Sequence, residues 1–331
     1  MTVKLPVVSN SETEAFLRCP RLRFYRFVLR RRPLTAVDVL LLGTLIHVGL
    51  ESWFGVLMRG DPDVHPVDAA LGAIERVAEK KQADALIRVQ AEELVRGYHC
   101  RWIDERLDVV AVELEFLTQV SDPILGEPIA EVSGKIDAIV RVNDSEMVIE
   151  HKSTSSDLEP GSMFWQRTRM SSQLGIYYVG ATSIGHVPAG AVYDVIAKPK
   201  DAEPLRHTPP EKRRYRKDGA LYKGQSLVDE EPEAYRERLS AMIFASPDSF
   251  YARQVVIRLK REVDEAVSDL AGTVSMMRHC EETGNHPRNP NACFEYNRAC
   301  EYHGVCLGLE DVRDDSKFRT ARENNIGRGA Q

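Results

Sequence analysis

Apolar residues recur with helical spacing through the first third of the chain. Near the start, Ser11 precedes Glu14 by three residues, a spacing typical of the capping box that begins a helix. The helix-forming residues that follow predict a first helix extending to about Arg31, with Cys19 inside it. The chain is therefore expected to begin with a helical region.

Two further helices are predicted before residue 107. The stretch LLLGTLIHVGLESWFGVLMRG predicts a second helix, which ends at the break formed by Gly60 and Pro62. A segment rich in Ala, Glu and Arg predicts a third helix from about Pro66 to Arg106. The longest apolar run, VDVLLLGTLIHVGL, contains His47 and is shorter than a bilayer span, so no membrane-spanning segment is predicted.

The pattern changes to period two between Val109 and Lys152. Three segments rich in β-branched residues, VVAVELEFLTQV, IAEVSGKIDAIVRV and EMVIEHKS, predict three strands of one sheet. Asn143 and Asp144 separate the last two segments, and both residue types favour turns. The second and third strands are therefore expected to form a hairpin.

The rest of the chain mixes helix and strand patterns. In order, we expect a helix containing SSQLGIYYVGA, a strand AGAVYDVIAKP, a mobile basic loop EKRRYRKDGALYKG, a helix from about Pro232, a strand FYARQVVIRLKR and a helix to about Glu282. A cysteine-bearing coil then continues to Cys306, and the polar tail after it is expected to be mobile. This order of elements predicts an α/β fold.

Composition limits the classes of protein that the chain can represent. Its 331 residues are 43% hydrophobic, enough for a substantial core. The net charge of −6 argues against a wholly basic nucleic-acid coat, although a nucleic-acid enzyme needs only a local basic groove. The N-terminus lacks the apolar core of a secretion signal, which predicts a cytoplasmic location where the six cysteines do not form disulfides.

Three charged residues interrupt the predicted hairpin. Asp137 lies on the less apolar face of its strand, and Glu150 and Lys152 project together from one face of the next strand. Carboxylate oxygens are the ligands that Mg²⁺ and Mn²⁺ prefer, and a nearby lysine can neutralise charge or orient an attacking water. Phosphodiester hydrolysis needs these groups, but the three residues alone fit a solvated strand surface equally well.

The same residues resemble a known signature. Asp137, followed after a hairpin by Glu150, His151 and Lys152, resembles the motif of the PD-(D/E)XK nuclease superfamily. In the helix SSQLGIYY, Gln173 and Tyr177 resemble the Q-x-x-x-Y element of the RecB-like branch of that superfamily. The resemblance implies a restriction-endonuclease-like core, a mixed central sheet flanked by helices.

Two upstream segments extend the resemblance. GTLIHVGLE is similar to the G-x-x-x-H helix of the RecB-like branch and singles out His47. AVELEF is similar to its early glutamate element and singles out Glu113, because Phe116 follows three residues later; Glu115 shares the strand face and is the alternative. Taken alone, a histidine on an apolar helix is more often a hydrogen-bonded core residue.

The resemblance implies a role for each matched residue. It makes Asp137 and Glu150 metal ligands, together with the main-chain carbonyl of His151, and adds His47 as a further ligand. It makes Lys152 the group that positions or activates water. The remaining matched residues would act around this centre, with Glu113 supporting a second metal or the first, and Gln173 and Tyr177 bracing the substrate phosphate.

The C-terminal cysteines form a second candidate site. Cys293, Cys300 and Cys306 lie in a coil rich in Asn, Pro and Gly, which needs a staple such as zinc or an iron–sulfur cluster. The resemblance to RecB-like nucleases, including AddB-type and CRISPR-associated exonucleases, implies Cys19 as the fourth ligand of a [4Fe-4S] cluster. Six residues separate Cys293 from Cys300, where the family has two.

Other ligand sets remain open at this stage. Cys280 is the rival of Cys293, although it lies near the end of a predicted helix, whereas Cys100 is expected to be a buried structural thiol. Zinc is the alternative to iron–sulfur, and His303 or His286 could then replace a thiolate.

Taken together, the resemblance implies a Mg²⁺- or Mn²⁺-dependent DNA exonuclease that acts on DNA ends or single strands. It would work alone or with recombination, repair or CRISPR-type protein partners. The expected division of the chain is a helical region at 1–106, a nuclease core at 107–262, a C-terminal helix and cysteine segment at 263–310, and a flexible tail at 311–331. The alternative is a zinc-stabilised or catalytically silent nucleic-acid-binding or scaffold protein of the same fold.

Overall fold

A six-stranded mixed β-sheet forms the centre of the structure, a computed structural model that describes residues 5–34, 38–123, 125–295 and 298–321. Its strands are β1 (Val7–Ser9), β3 (Asp108–Ser121), β4 (Pro128–Val142), β5 (Ser145–Thr154), β6 (Gly190–Ala197) and β7 (Tyr251–Val256). Strand β3 runs antiparallel along one edge of β4. The other edge of β4 is shared by β1 and β5, and β6 and β7 follow β5.

The three strands predicted between residues 109 and 152 are confirmed, as is the hairpin. The residues that join β4 to β5 are Asn143 and Asp144, both with left-handed backbone conformation, φ 48° and 62°. Asn and Asp tolerate this conformation better than other non-glycine residues, and two such residues in succession make the tight turn that a twisted hairpin favours. The turn fixes the register of the two strands that carry the charged residues.

Helices cover both faces of the sheet. On one face pack α3 (Asp38–Arg59), α4 (Pro66–Lys80), α5 (Ala85–Trp102) and α8 (Pro232–Ala245). On the other pack α1 (Asn10–Arg18), α6 (Met163–Met170), α7 (Gln173–Ser183) and α9 (Lys260–Thr283). The predicted α/β class, with a mixed central sheet flanked by helices, is therefore confirmed.

The predicted first helix is wrong in its start and its end. The capping side chain is Ser9, which accepts a hydrogen bond from the backbone N–H of Glu12 (3.3 Å), so the S-x-x-E pattern that operates begins two residues before Ser11. The helix stops at Cys19, whose backbone is extended (φ −165°, ψ 116°). Pro20 is the cause, since the residue before a proline is disfavoured in helical conformation.

Two short helical segments follow the break at Cys19. These are α2 (Pro20–Arg23) and a π-helical turn at Phe24–Val28. Further along, the predicted third helix is two helices, α4 and α5, separated by a turn in which Gln82 has φ 52°. That left-handed residue ends the helical pattern although the composition on both sides favours helix.

The two ends of the described chain meet. Strand β2 (Arg31–Pro33) pairs with β10 (Phe318–Thr320) in a separate two-stranded sheet. The prediction of a flexible tail is therefore wrong for residues 311–321, where Arg31 also donates hydrogen bonds to the carbonyls of Val312 and Phe318. The remainder of the predicted tail, residues 322–331, lies outside the described residues.

The C-terminal segment has little regular structure, as its composition predicts. It contains a two-stranded hairpin, β8 (Phe294–Glu295) with β9 (Arg298–Ala299), and a single helical turn, α10 (His303–Cys306).

The expectation that no segment is long enough to span a membrane is wrong for helix α3. By length and composition, Leu40–Arg59 is long and apolar enough to cross a bilayer, the one such helix within the described ranges. Half of that window is buried inside the structure, where Trp53 and Phe54 are fully enclosed by α4, α5 and the sheet. The helix is thus a core element of its face.

Candidate active site

The two predicted carboxylate ligands face each other where strands β4 and β5 separate. The hairpin pairing ends at Ala138 and Ile149, so Asp137 and Glu150 occupy the next register position. Directly opposite residues of an antiparallel pair project from the same face, which brings both carboxylates to one side. Strand β1 takes over this edge of β4 at residues 131–133, and the fork between β1 and β5 opens at the carboxylates.

Glu113 joins the same row from the third strand. The residues on either side of Glu113 pair with the residues on either side of Asp137, so the register sets the two across from each other. Glu113 has a left-handed backbone (φ 55°) and its carboxylate forms an ion pair with Lys135. Glu115, the sequence alternative, is exposed. It pairs with Lys135, two residues along β4 from Asp137. The geometry favours Glu113.

Both carboxylates are held in a site that disfavours their charge. Burial raises the pKa of Asp137 and, with the negative charge of Asp137 added, that of Glu150, which is 3% exposed. Asp137 accepts a hydrogen bond from the backbone N–H of His151 (2.8 Å). Within the described part of the chain, Oε2 of Glu150 is buried and has no hydrogen-bond partner. The pair thus concentrates carboxylate oxygen atoms at one point, and one of them has no hydrogen-bond partner among the described residues.

A series of side-chain hydrogen bonds holds Lys152 beside this pair. Its ammonium group lies 2.5 Å from Oε1 of Glu150 and donates a hydrogen bond to Oε1 of Gln173 (2.8 Å). The amide nitrogen of Gln173 in turn donates to the hydroxyl of Tyr177 (2.8 Å), one helical turn further along α7. Burial and then the charge of Glu150 raise the pKa of Tyr177, so this hydroxyl stays protonated. The predicted Gln and Tyr therefore orient the lysine.

His47 lies beside the site on helix α3. Its ring stands edge-on to that of His151, with 6.2 Å between the ring centroids. Burial, followed by the positive charge of His151, lowers the pKa of His47 to about 4. The imidazole is therefore neutral near pH 7, the protonation state in which a histidine binds a metal.

A buried polar network behind the site was not predicted. The carboxylate of Asp194, on β6, lies 3.0 Å from Nδ1 of His151 and accepts hydrogen bonds from Tyr98 on α5 and from Nε of Arg253 on β7 (2.9 Å). Although burial raises it, the charge of Arg253 and the bonds from His151 and Tyr98 lower the pKa of Asp194 to about 2. The sequence signal that could have identified this network was a single aspartate, Asp194, within the apolar strand AVYDVIA.

A groove leads away from the carboxylates toward the N-terminal helices. This cavity, about 580 Å³ in volume, begins at Lys135, Gln173 and Tyr177. Three arginines, Arg18, Arg26 and Arg32, line its far side. The groove therefore joins the charged row of the sheet to a basic wall, an arrangement suited to a phosphate-bearing chain.

The four cysteines predicted as cluster ligands line one cavity. Cys19 enters from the break between α1 and α2, and Cys293, Cys300 and Cys306 come from the C-terminal segment. Burial raises the pKa of the thiols of Cys300 and Cys306. These residues lie almost three hundred positions apart in the chain and line the same cavity, but within the described ranges they are not arranged as a group that could hold a metal ion.

The other cysteines lie elsewhere. Cys280 is buried in helix α9 among the apolar residues of that face, away from this cavity, so the geometry favours Cys293. Cys100 is exposed, which corrects the prediction of a buried thiol. Of the two histidines considered for zinc, His303 lines the cavity, whereas His286 stacks on the ring of Phe24 at 4.2 Å.

The residues at the fork have the chemistry of divalent-cation ligands, but their side chains are not arranged as a formed metal site. Asp137 and the orphaned oxygen of Glu150 supply the hard ligands that Mg²⁺ prefers. Over the described ranges, no group of three or more His, Cys, Asp or Glu side chains is arranged to hold a metal ion. The proposed ligand set would have to include non-side-chain groups such as the carbonyl of His151.

Comparison with known proteins identifies the family. The model of the PD-(D/E)XK nuclease superfamily matches residues 7–307, nearly the whole described chain. A comparison with curated proteins finds no match. The chain belongs to the PD-(D/E)XK nuclease superfamily, and its mixed sheet with the forked β4–β5 pair is the core of that fold. The family membership supports nuclease activity.

Two solved structures are similar in chain path at low identity. The "putative exonuclease" of Eubacterium rectale is 10% identical, with 92% of this chain and 88% of that chain covered and a TM-score of 0.45. The protein SSO0001 is 15% identical, with 82% and 87% covered and a TM-score of 0.27. Because both TM-scores lie below 0.5, the family assignment depends on the family model.

Proposed function

We propose that this protein is a metal-dependent DNA exonuclease of the RecB-like branch, with a structural [4Fe-4S] cluster. The observation that carries the proposal is the alignment of Asp137 and Glu150 at the fork of the sheet, with Lys152 beside them. Two carboxylates and a lysine, the groups that phosphodiester hydrolysis needs, thereby meet beside Gln173, which lines the basic groove. The same residues carry the family motif.

Asp137, Glu150 and the main-chain carbonyl of His151 would hold Mg²⁺ or Mn²⁺, with His47 as a further ligand. The cation would supply charge neutralisation at the scissile phosphate and a more acidic water. Lys152 is already directed at this point by Gln173, so it can hold the attacking water by a hydrogen bond. Glu113, paired with Lys135, would support the metal or a second one from the neighbouring strand.

The substrate assignment depends on the groove. Its arginines suit a phosphate backbone, and its start at Gln173 and Tyr177 sets the backbone next to the carboxylates. DNA ends or single strands are the proposed substrates, acted on in recombination, repair or CRISPR-type processing, with or without protein partners.

The cluster proposal depends on the four cysteines around one cavity. Thiolates are the usual ligands of iron–sulfur clusters, and these four tie the first helices to the C-terminal segment. Anaerobically purified protein is expected to be brown, with visible absorbance and about four irons per chain. Colourless protein with one zinc per chain would replace the cluster by a zinc site that recruits His303.

The nuclease proposal is tested by digestion of 5′-labelled and 3′-labelled DNA, single- and double-stranded, with Mg²⁺ or Mn²⁺. Wild-type protein is expected to release nucleotides, and Asp137→Ala is expected to lose at least a hundredfold in rate. Asp264→Ala, at an exposed aspartate on α9, is the matched control and should digest as wild type does. Folded, metal-supplied wild type that cuts none of the substrates would instead support a silent binding protein.

A further inference from the structure

The segment between β6 and α8 forms a hydrogen-bonded projection where the sequence predicts a mobile loop. Within it, Tyr215 bridges to Leu221 in antiparallel fashion. The N–H of Arg216 donates to the carbonyl of Ala220 (2.7 Å), and the N–H of Tyr222 donates to the carbonyl of Arg214 (3.0 Å). Residues 212–223 thus make a small hairpin, referred to below as the basic arm.

The root of the basic arm is fixed to the body of the protein. The side-chain amide of Gln225 accepts from the N–H of Arg214 (2.7 Å) and donates to the carbonyl of Lys212 (2.8 Å). Just beyond the arm, Glu230 accepts two hydrogen bonds from Arg238 of helix α8 (2.8 and 2.7 Å). These contacts give the arm a preformed shape and a set direction.

The basic arm carries a charge opposite to that of the whole chain. Its twelve residues include six Lys and Arg and one Asp, whereas the chain has a net charge of −6. Two ion pairs to acids, Arg216 with Asp218 (3.7 Å) and Lys223 with Asp201 (3.5 Å), are both solvent-exposed. Exposed pairs of this kind stabilise a fold by well under 1 kcal/mol, so folding does not account for the concentration of charge.

Two aromatic rings accompany the charge. Tyr215 is 56% exposed and Tyr222 is 52% exposed. Because neighbouring residues of a strand face opposite sides, the bridge of Tyr215 to Leu221 sets Tyr215 on one face of the arm and Tyr222 on the other. Among the described residues, none of the three hydrophobic core clusters includes either ring. Exposed tyrosines interleaved with arginines and lysines are the arrangement that binds single-stranded nucleic acid.

The segment that carries the arm leaves the sheet at the end of β6, the strand next to the one that carries Glu150 and Lys152. Ala197, the last residue of β6, pairs with Thr154, two residues and about 7 Å beyond Lys152 along β5. Two cavities of about 840 and 260 Å³ open at this point and share Ser155, Lys198 and Lys200 in their walls. Lys223 of the arm reaches Asp201, at the rim of the larger cavity. A lysine-bearing surface therefore connects the site to the arm.

We infer that the basic arm is a second contact for the DNA strand, in addition to the arginine-lined groove, and that it holds unpaired nucleotides. The inference rests on the proposed function and names the form of its substrate. Arg214, Arg216 and Lys217 would contact phosphates, and the two tyrosines would stack on bases. Stacking requires bases that are not paired, so the strand that reaches the arm is single.

The binding test uses the full-length protein in EDTA, where digestion cannot occur, and fluorescein-labelled oligothymidylate in an anisotropy titration. The triple variant Arg214→Ala/Arg216→Ala/Lys217→Ala is expected to bind about 10-fold more weakly at 0.1 M salt. The slope of log affinity against log salt should be shallower by about 2, the change expected for three lost phosphate contacts on a single strand. Lys80→Ala/Lys81→Ala/Arg261→Ala removes the same charge elsewhere on the surface and should leave both quantities within about twofold of wild type.

A tyrosine variant separates stacking from charge. Tyr215→Ala/Tyr222→Ala is expected to weaken oligothymidylate binding about 5- to 10-fold with an unchanged salt slope and little effect on a blunt duplex. Since the arm lies outside the core, both variants should melt as wild type does, which controls for folding.

The outcomes separate this inference from the proposed function. Wild-type affinity for single strands in both arm variants would overturn the inference, even if the protein digests DNA. Equal losses for single strand and duplex would also overturn it, because the arm would then act by charge alone. Binding that depends on the arm in a protein that cuts no DNA would keep the arm as a contact and remove the nuclease proposal.

Discussion

The carboxylate of Asp194 lies 3.0 Å from Nδ1 of His151, one strand away from the two carboxylates proposed to bind metal. His151 is flanked in sequence by Glu150 and Lys152, and its backbone N–H is bonded to Asp137. Its ring is fixed from behind by Asp194, which Tyr98 and Arg253 hold in turn. A buried network therefore positions the row of proposed catalytic groups from behind.

Replacement of Asp194 by Asn is expected to affect metal use more than substrate binding. The variant weakens the hold on His151 and leaves Arg253 without its buried counterion, so the free energy of unfolding should fall by about 3 kcal/mol. At temperatures where it remains folded, the Mg²⁺ concentration for half-maximal digestion should rise about 10- to 100-fold, while KM for DNA stays within about threefold. A magnesium titration of the digestion rate measures this.

Tyr98→Phe is the conservative comparison for that experiment. It keeps the contact of Asp194 with His151 and removes two hydrogen bonds, one donated to Asp194 and one accepted from Arg253, so it should cost about 1–3 kcal/mol of stability with an unchanged magnesium requirement. If Asp194→Asn also leaves the requirement unchanged, the network has a purely structural role.

Gly180 is expected to tolerate no side chain. A Cβ at this position would stand 2.5 Å from Cδ2 of Phe116, a ring that also rests against Gly134 from β4. Gly180→Ala should therefore destabilise the protein by about 1–3 kcal/mol, measured by urea unfolding. Gly272→Ala, in helix α9 with open space around it, is the matched control and should be neutral or stabilising by up to about 1 kcal/mol. Equal effects would contradict the packing account.

Cysteine substitutions should destabilise the protein at the cavity of the four cysteines and have no effect at the exposed Cys100. Cys19→Ser, Cys300→Ser and Cys306→Ser are each expected to lower the melting temperature by several degrees and to reduce the yield of dissolved protein, because each removes a proposed ligand of the cluster between the N-terminal helices and the C-terminal segment. Cys100→Ser, at an exposed position, should melt as wild type does. Iron content measured on the same samples links the loss to the cluster, and identical melting of all four variants would count against it.

The pair of Glu230 and Arg238 gives a pH-dependent contribution to stability. Hydrogen bonds from Arg238 lower the pKa of Glu230 below its usual value near 4.5. A carboxylate whose pKa is lower in the folded state stabilises the fold above its unfolded pKa, and the contribution is lost as the pH falls through the folded pKa.

Glu230→Gln should therefore cost about 1 kcal/mol near pH 7 and almost nothing below about pH 3. Urea unfolding at a series of pH values measures the difference between the two proteins. A difference that does not change with pH would show that the hydrogen bonds act without the charge.

The central strands and the row of carboxylates were predictable because the signals are local. Period-two alternation fixes β4 and β5, and the turn at Asn143 and Asp144 fixes their register. Once the register is known, the meeting of Asp137 and Glu150 follows without any tertiary information. Gln173 and Tyr177 were predictable for the same reason, since residues four apart share a helix face.

The missed features depend on contacts between distant elements or on single residues. Asp194 gains its role from the order of strands, because β6 reaches β5 through a parallel crossover that the sequence pattern does not specify. The break at Cys19 depends on Pro20 alone. The helical periodicity on both sides of that proline led to the prediction of one continuous helix. Strand β1, only three residues long, is too short for any period to be recognised.

The pairing of β2 with β10 has a consequence for synthesis of the protein. The first thirty residues emerge from the ribosome long before their partners around residue 318, and they stay unpaired while the residues between are synthesised. Contacts between such distant positions also slow folding in a released chain. The pairing of β2 with β10 therefore forms only after the residues of the central sheet have been synthesised, and the cluster proposed between these segments would be inserted after that point.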